Sequence, residues 1–278
     1  ITGTLLACVG NTTTLSSPTL GGTWTSSNTS VATIGNTTGI VTGVASGVTN
    51  ITYKMGTGCF VTAQVTVNLL PSALAGVSSV CIGANTVYTS STPGGTWSSS
   101  DIAVASVGTG GVISGVSNGV AFITYTMPTG CYVTKSVTVN GAPSPIAGTL
   151  SLCQGSTAIL SSLTPGGTWT SLNPGNATIG LTSGIMTAVF PGTATIAYTA
   201  PWGCTSTAIV TVNANPNAIS GVTNICLGSS SSLSSLTPGG TWSISNPVVA
   251  SVGVGTGIVN ALTVGTATVT YSLATGCR

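Results

Sequence analysis

Apolar residues along this chain alternate with Thr, Ser and Gly in short runs, and no run sustains the 3.6-residue period of an amphipathic helix. Ala121–Met127 (AFITYTM) and Tyr132–Asn140 (YVTKSVTVN) show the period of two that puts one face of a strand in a core. Between residues 71 and 142 the pattern predicts about seven short strands: Leu74–Val80, Thr86–Ser90, Thr96–Ser98, Val104–Val107, Val112–Val116, Ala121–Met127 and Tyr132–Asn140. Turn signals such as Thr92-Pro93-Gly94-Gly95 separate them, at the spacing of an all-β sandwich. Helix is disfavoured: 39 glycines interrupt the chain, β-branched residues dominate, and Glu, Lys and Arg are nearly missing.

The same pattern recurs four times. Trp24, Trp97, Trp169 and Trp242 step by 73, 72 and 73 residues, and Tyr53, Tyr125, Tyr198 and Tyr271 by 72, 73 and 73. A repeat of this length means a tandem array of small folded units. The expected organisation is four modules, at 1–70, 71–142, 143–215 and 216–278. The eight cysteines follow the same ruler as Cys8 and Cys59, Cys81 and Cys131, Cys153 and Cys204, Cys226 and Cys277. Separations of 51, 50, 51 and 51 residues predict one disulfide inside each module, a clip at one end of each sandwich. Closing such a loop would stabilise a small module by roughly 4 kcal/mol. An even cysteine count points to an oxidising, extracellular or cell-surface setting.

Three cations (Lys54, Lys135, Arg278), one acid (Asp101) and no histidine make up the charge inventory of 278 residues. Nucleophile–imidazole catalysis needs a histidine, and paired-carboxylate hydrolysis needs two acids. Asp101 reads as an exposed loop residue, so the chain is expected not to be an enzyme. No metal site and no cofactor are expected, and EDTA should leave the molecule unchanged. Nucleic acid would require clustered cations. The apolar residues never reach the 18 or more of a spanning helix, so no membrane span is expected. The first residue, Ile1, falls inside a strand pattern, as in a mature or excised piece of something longer.

The landmarks Gly21-Gly22-Thr23-Trp24, Val31-Ala32-Thr33-Ile34, Ile51-Thr52-Tyr53 and Val65-Thr66-Val67-Asn68 return in the later repeats, as in Gly94-Gly95-Thr96-Trp97 and Val137-Thr138-Val139-Asn140. This combined run resembles bacterial immunoglobulin-like domains of group 2. Its cysteine-bearing form is similar to tandem repeats of large secreted surface proteins of Bacteroidetes-type bacteria. The resemblance covers all four repeats and implies β-sandwiches used as an adhesin stalk or extracellular scaffold, with no shared catalytic residues.

Trp24, Trp97, Trp169 and Trp242 read as core anchors, with a sugar-stacking platform as the alternative. Trp202 breaks the repeat and, with Tyr88 and Tyr132, is a candidate glycan contact. Pro71, Pro143 and Pro216 each follow an Asn by three residues and make stiff, extended joints. Four sandwiches in line would form a rod on the order of 150 Å. Arg278 aligns with Phe60, Tyr132 and Thr205, so the fourth repeat lacks the closing strand of the other three. Either the chain is a window on a longer repetitive protein, or a neighbouring subunit contributes the strand. A surface this neutral does not oppose self-association. Ser and Thr offer acceptors for O-linked sugars, and the sequons at Asn11, Asn28, Asn36, Asn50 and Asn176 are weak signals in Thr-rich sequence. The expected function is structural: a bacterial surface fibre, stalk or sheath that associates with itself. The alternative is an adhesin that binds surface carbohydrate through exposed aromatics.

Overall fold

The computed structural model describes residues 1–278, and every regular element in it is a strand. The first repeat contains eight: β1 (Thr2–Gly3), β2 (Leu6–Cys8), β3 (Thr12–Ser16), β4 (Thr23–Ser26), β5 (Ala32–Ile34), β6 (Ile40–Gly43), β7 (Gly47–Lys54) and β8 (Phe60–Asn68). They form two sheets, ordered β1-β3-β6-β5 and β2-β8-β7-β4. All pairings are antiparallel except β2 with β8, which is parallel. The inner faces meet in one core that includes Leu15 and Val41 from the first sheet and Trp24, Ile51 and Val65 from the second. Each repeat has its own core cluster, and the fold is a series of immunoglobulin-like sandwiches.

The second repeat has seven strands, as the pattern predicts, but the first two differ from expectation, the predicted Thr86–Ser90 being regular only as Asn85–Val87. Of Leu74–Val80 only its end is regular, as Ser79–Cys81. The cause is Gly76 at φ 126°, a conformation that L side chains avoid. A Cβ there would lie 2.2 Å from the carbonyl oxygen of Val87. The chain bends at this glycine and changes sheets: Ala75 bridges Thr89 on one side, while Ser79–Cys81 pairs with Tyr132–Asn140 on the other. Gly3 makes the same switch between β1 and β2.

The Gly-Gly-Thr-Trp run has a physical basis at each position. Gly21 adopts φ 86°, and Gly22 lies under the ring of Tyr53, where a Cβ would come within 2.5 Å of the ring carbon bearing the hydroxyl. The Gly22 N–H donates to Tyr53 Oη (2.8 Å), which donates in turn to the Thr19 carbonyl (2.8 Å). Trp24 is directly opposite Tyr53 across the β4–β7 ladder, with ring centroids 4.5 Å apart and planes tilted by 47°. The other three repeats contain equivalent Trp–Tyr pairs and equivalent tyrosine hydrogen bonds. Tyr125→Phe removes both bonds and strands the Gly95 N–H and the Thr92 carbonyl; we expect a loss of about 2 kcal/mol in denaturant titration.

The chain groups into two compact units, Ile1–Gly141 and Ala142–Arg278, each holding two repeats. Within the second unit the fourth repeat is the irregular one. Thr241–Ile244 pairs with Val269–Ser272, and no further strand joins that sheet.

Candidate association site

The cysteines lie where the topology places the two ends of each sandwich. Cys8 ends β2, and because β2 runs parallel to β8 its register partner is Asn68, the last residue of β8. Cys59 immediately precedes β8, whose nine residues span about 30 Å at ~3.3 Å each. A disulfide requires Cα atoms within about 7 Å. Cys8 and Cys59 therefore sit at opposite ends of one sandwich and cannot pair.

The bridges join successive repeats instead. Cys8 is bonded to Cys131, with Cα atoms 5.7 Å apart and a sequence separation of 123. Cys153 is bonded to Cys277, with Cα atoms 5.5 Å apart and a separation of 124. In both, the first cysteine of one repeat holds the second cysteine of the next. Cys81 and Cys204 are disulfide-bonded too, while Cys59 and Cys226 are free thiols on the surface. This corrects the expectation of one disulfide inside each module. The even spacing does signal disulfides, but the parallel pairing of the first strand with the closing strand decides their partners. Six bonded cysteines belong to an oxidising compartment.

The fourth repeat exposes an apolar groove of about 610 Å³, lined among others by Ile225, Cys226, Leu233, Val259, Ala267 and Val269. In the other repeats the equivalents of Val269 are Ile51, Ile123 and Ile196, all fully buried under a closing strand. Val269 is partly exposed. Residues 224–226 form no strand, whereas their equivalents Leu6–Cys8, Ser79–Cys81 and Ser151–Cys153 pair with closing strands.

The aromatic candidates separate. Trp24, Trp169 and Trp242 are buried and Trp97 is half-buried, each stacked on its tyrosine, so the core-anchor reading accounts for all four. Tyr88 is not a surface contact: it is 0% exposed and occupies the core position that is Leu15, Leu160 and Leu233 elsewhere. Its hydroxyl donates to the Ser136 carbonyl (2.6 Å), and the Lys135 ammonium stands 4.8 Å above its ring. It brings a larger, aromatic side chain with a hydroxyl where the other repeats have an aliphatic one, and its burial was invisible in a run (TVYTS) read without its neighbours. Tyr132 is 51% exposed, at the edge of a shallow recess with Asn11, Leu74 and Lys135. The cation of that recess is already engaged, since Lys135 Nζ donates to the carbonyls of Leu74 and Gly76. Trp202 is 41% exposed.

Burial raises the pKa of Tyr88 above its usual value, opposed in part by a hydrogen bond with the Ser78 side chain. A phenol whose folded pKa is raised contributes stability that is fully present below its unfolded pKa near 10 and is lost as pH rises through the folded value. The second repeat should therefore weaken selectively above about pH 10, and Tyr88→Leu should remove that sensitivity. Alkaline melting of wild type and variant checks this; identical profiles would contradict it.

Asp101 is an exposed turn residue. Its Oδ1 accepts the Ala103 N–H (2.9 Å), as Asn28 accepts the Ser30 N–H and Asn246 the Val248 N–H at the equivalent turns. An amide does the same work at those positions, so the carboxylate has a structural explanation. No helix is long and apolar enough to cross a membrane.

No family model matches the chain, and no curated protein matches it. Among solved structures it is similar to a C-terminal fragment of intimin in complex with the intimin-binding domain of the translocated intimin receptor. That likeness has 16% identity, 56% of this chain and 68% of the fragment covered, and a TM-score of 0.36. A second is invasin, described as a bacterial integrin-binding protein, at 14% identity, with 96% of this chain and 75% of invasin covered and a TM-score of 0.35. A third is the S-layer protein fragment rSbsC(31-844), at 14% identity and a TM-score of 0.27; 91% of this chain is covered, yet it spans only 44% of that fragment. Likenesses at this level do not assign the chain to a family.

Proposed function

We propose that this chain is a structural part of a bacterial cell-surface or secreted protein, a tandem array of immunoglobulin-like modules that builds a fibre, stalk or sheath. The observation that carries this reading is the pair of bridges Cys8–Cys131 and Cys153–Cys277. A disulfide inside a module protects only that module, whereas one between modules limits how far two neighbours can separate or turn. Tension along a chain loads the joints first, so covalent bracing belongs to a load-bearing array. The outer face of the Gly119–Thr126 and Tyr132–Asn140 strands adds Val120, Phe122 and Tyr132, exposed and uncharged, as a surface on which copies can associate.

The test is single-molecule stretching of the chain with and without reductant. In the oxidised protein, unfolding of a braced pair should release contour in shortened steps, because residues 8–131 and 153–277 stay closed as loops. Reduction should restore the full length of each module, about 72 residues at ~3.6 Å each. Equal step lengths in both conditions would refute the bracing. The rival reading, a carbohydrate-binding adhesin, now rests on Tyr132 and Trp202. Glycan binding abolished by Trp202→Ala, in protein that still folds, would favour it over the scaffold.

A further inference from the structure

Cys59 and Cys226 are the two cysteines of this chain without a disulfide, and they occupy complementary positions in its bridging scheme. Cys226 aligns with Cys8 and Cys153, each of which holds the second cysteine of the following repeat. Cys59 aligns with Cys131 and Cys277, each held by the first cysteine of the preceding repeat. Cys131 and Cys277 are fully buried, while Cys59 is on the surface.

The groove of the fourth repeat is an independent sign of the same thing. It lies beside Cys226 and Val269, where the other three sandwiches hold Phe60–Asn68, Tyr132–Asn140 and Thr205–Asn213. Those strands fill the space with the pairs Val65 and Val67, Val137 and Val139, and Val210 and Val212, all buried. Each also pairs along its edge with the strand that ends in Cys8, Cys81 or Cys153. In the fourth repeat the Val269–Ser272 strand is paired on one side only, which leaves a row of backbone donors and acceptors open.

We propose that the fourth repeat is a receiving end for a further module of this same type, following it as the second repeat follows the first. An extended nine-residue segment with apolar residues at alternate positions fills the groove and leads into that module, whose second cysteine closes on Cys226. Cys59 in turn takes the first cysteine of a module that precedes the first repeat. The disulfides thus form a ladder in which each such closure registers one module on the neighbour it is bonded to. Each closure converts two thiols to one S–S bond and releases two protons and two electrons. A small-molecule disulfide oxidant accepts them by exchange, leaving as two thiols. The proposal stands whether the array is a scaffold or an adhesin.

Two experiments test it. First, the intact 278-residue chain is mixed with a synthetic peptide of the sequence of residues 205–213. The peptide should bind and raise the melting temperature of the fourth repeat, and the same peptide with both valines replaced by aspartate should do neither. Equal effects from both peptides, or from neither, would overturn the groove assignment.

Second, the chain is extended after Arg278 by a copy of residues 61–141 marked with Thr134→Ser, and oxidised with a glutathione disulfide buffer. Non-reducing peptide mapping should find Cys226 joined to the marked copy of Cys131, while Cys59 still reacts with iodoacetamide. Replacing the copied Val65 and Val67 with aspartate should lower the yield of that bridge at least tenfold. A Cys226 that stays alkylatable beside a folded added module would refute the ladder. Unextended chains that link Cys226 to Cys59 of a second copy as efficiently would refute the groove-filling strand, which would then have no role in delivering the cysteine.

Discussion

Trp169→Ala is expected to unfold the third repeat at room temperature. The indole is 5% exposed, faces Tyr198 at 4.6 Å between ring centroids, and packs beside Gly184. Truncating a buried tryptophan costs about 3–5 kcal/mol through lost transfer energy and the cavity left behind. A core of this size supplies about 3–5 kcal/mol in all. The two figures are comparable, so the loss should be close to complete for that module. The Cys153–Cys277 bridge ties it to the fourth repeat, which should also lose cooperativity. Urea titration followed by near-ultraviolet circular dichroism gives the measurement. A loss below about 1 kcal/mol would mean that the indole is not an anchor and would revive the sugar-platform reading.

The second large effect separates the two possible disulfide schemes. Cys131→Ser opens a loop spanning 123 residues, for which chain-entropy reasoning gives about 5 kcal/mol in the unfolding of the Ile1–Gly141 unit. Cys59→Ser should change stability by no more than about 0.5 kcal/mol, as for an ordinary surface substitution. Pairing inside modules would make Cys59→Ser as costly as Cys8→Ser, since each would break the same bond. Chemical denaturation of the three variants, each with its free thiols blocked, distinguishes the schemes. Equal losses for Cys8→Ser and Cys59→Ser would refute the bridge between repeats.

Much of a single module was legible because its signals are local. Alternation over Tyr132–Asn140 places Val137 and Val139 inward, and both are buried. Pro-Gly-Gly-Thr-Trp marks a turn leading into a strand, and the structure adds why both glycines are needed: one for its positive φ, the other for its contact with the tyrosine ring. The predicted Leu74–Val80 strand was too long because a glycine within an alternating run gives no sign that the chain will change sheets there.

The amino-acid sequence by itself determined the repeat length, the all-β class, the tryptophan that anchors each core, and that cysteines form cross-links, while the stacking of each tryptophan on its tyrosine came from the structure. The first four follow from spacing, side-chain volume and backbone preference, which act over a few residues or recur at a fixed interval. Only the tertiary structure decided which cysteine meets which, and that Tyr88 is a core residue. Both depend on a contact between segments far apart in the chain. The first strand runs parallel to the closing strand, which carries Cys8 to the far end of its sandwich from Cys59 and beside the next repeat's Cys131. The sheet switch at Gly76 and the closing strand enclose Tyr88, which bonds to Ser136 under the Lys135 ammonium. A fixed interval in sequence records how often a cysteine occurs; the direction of the strand it ends determines what that cysteine can reach.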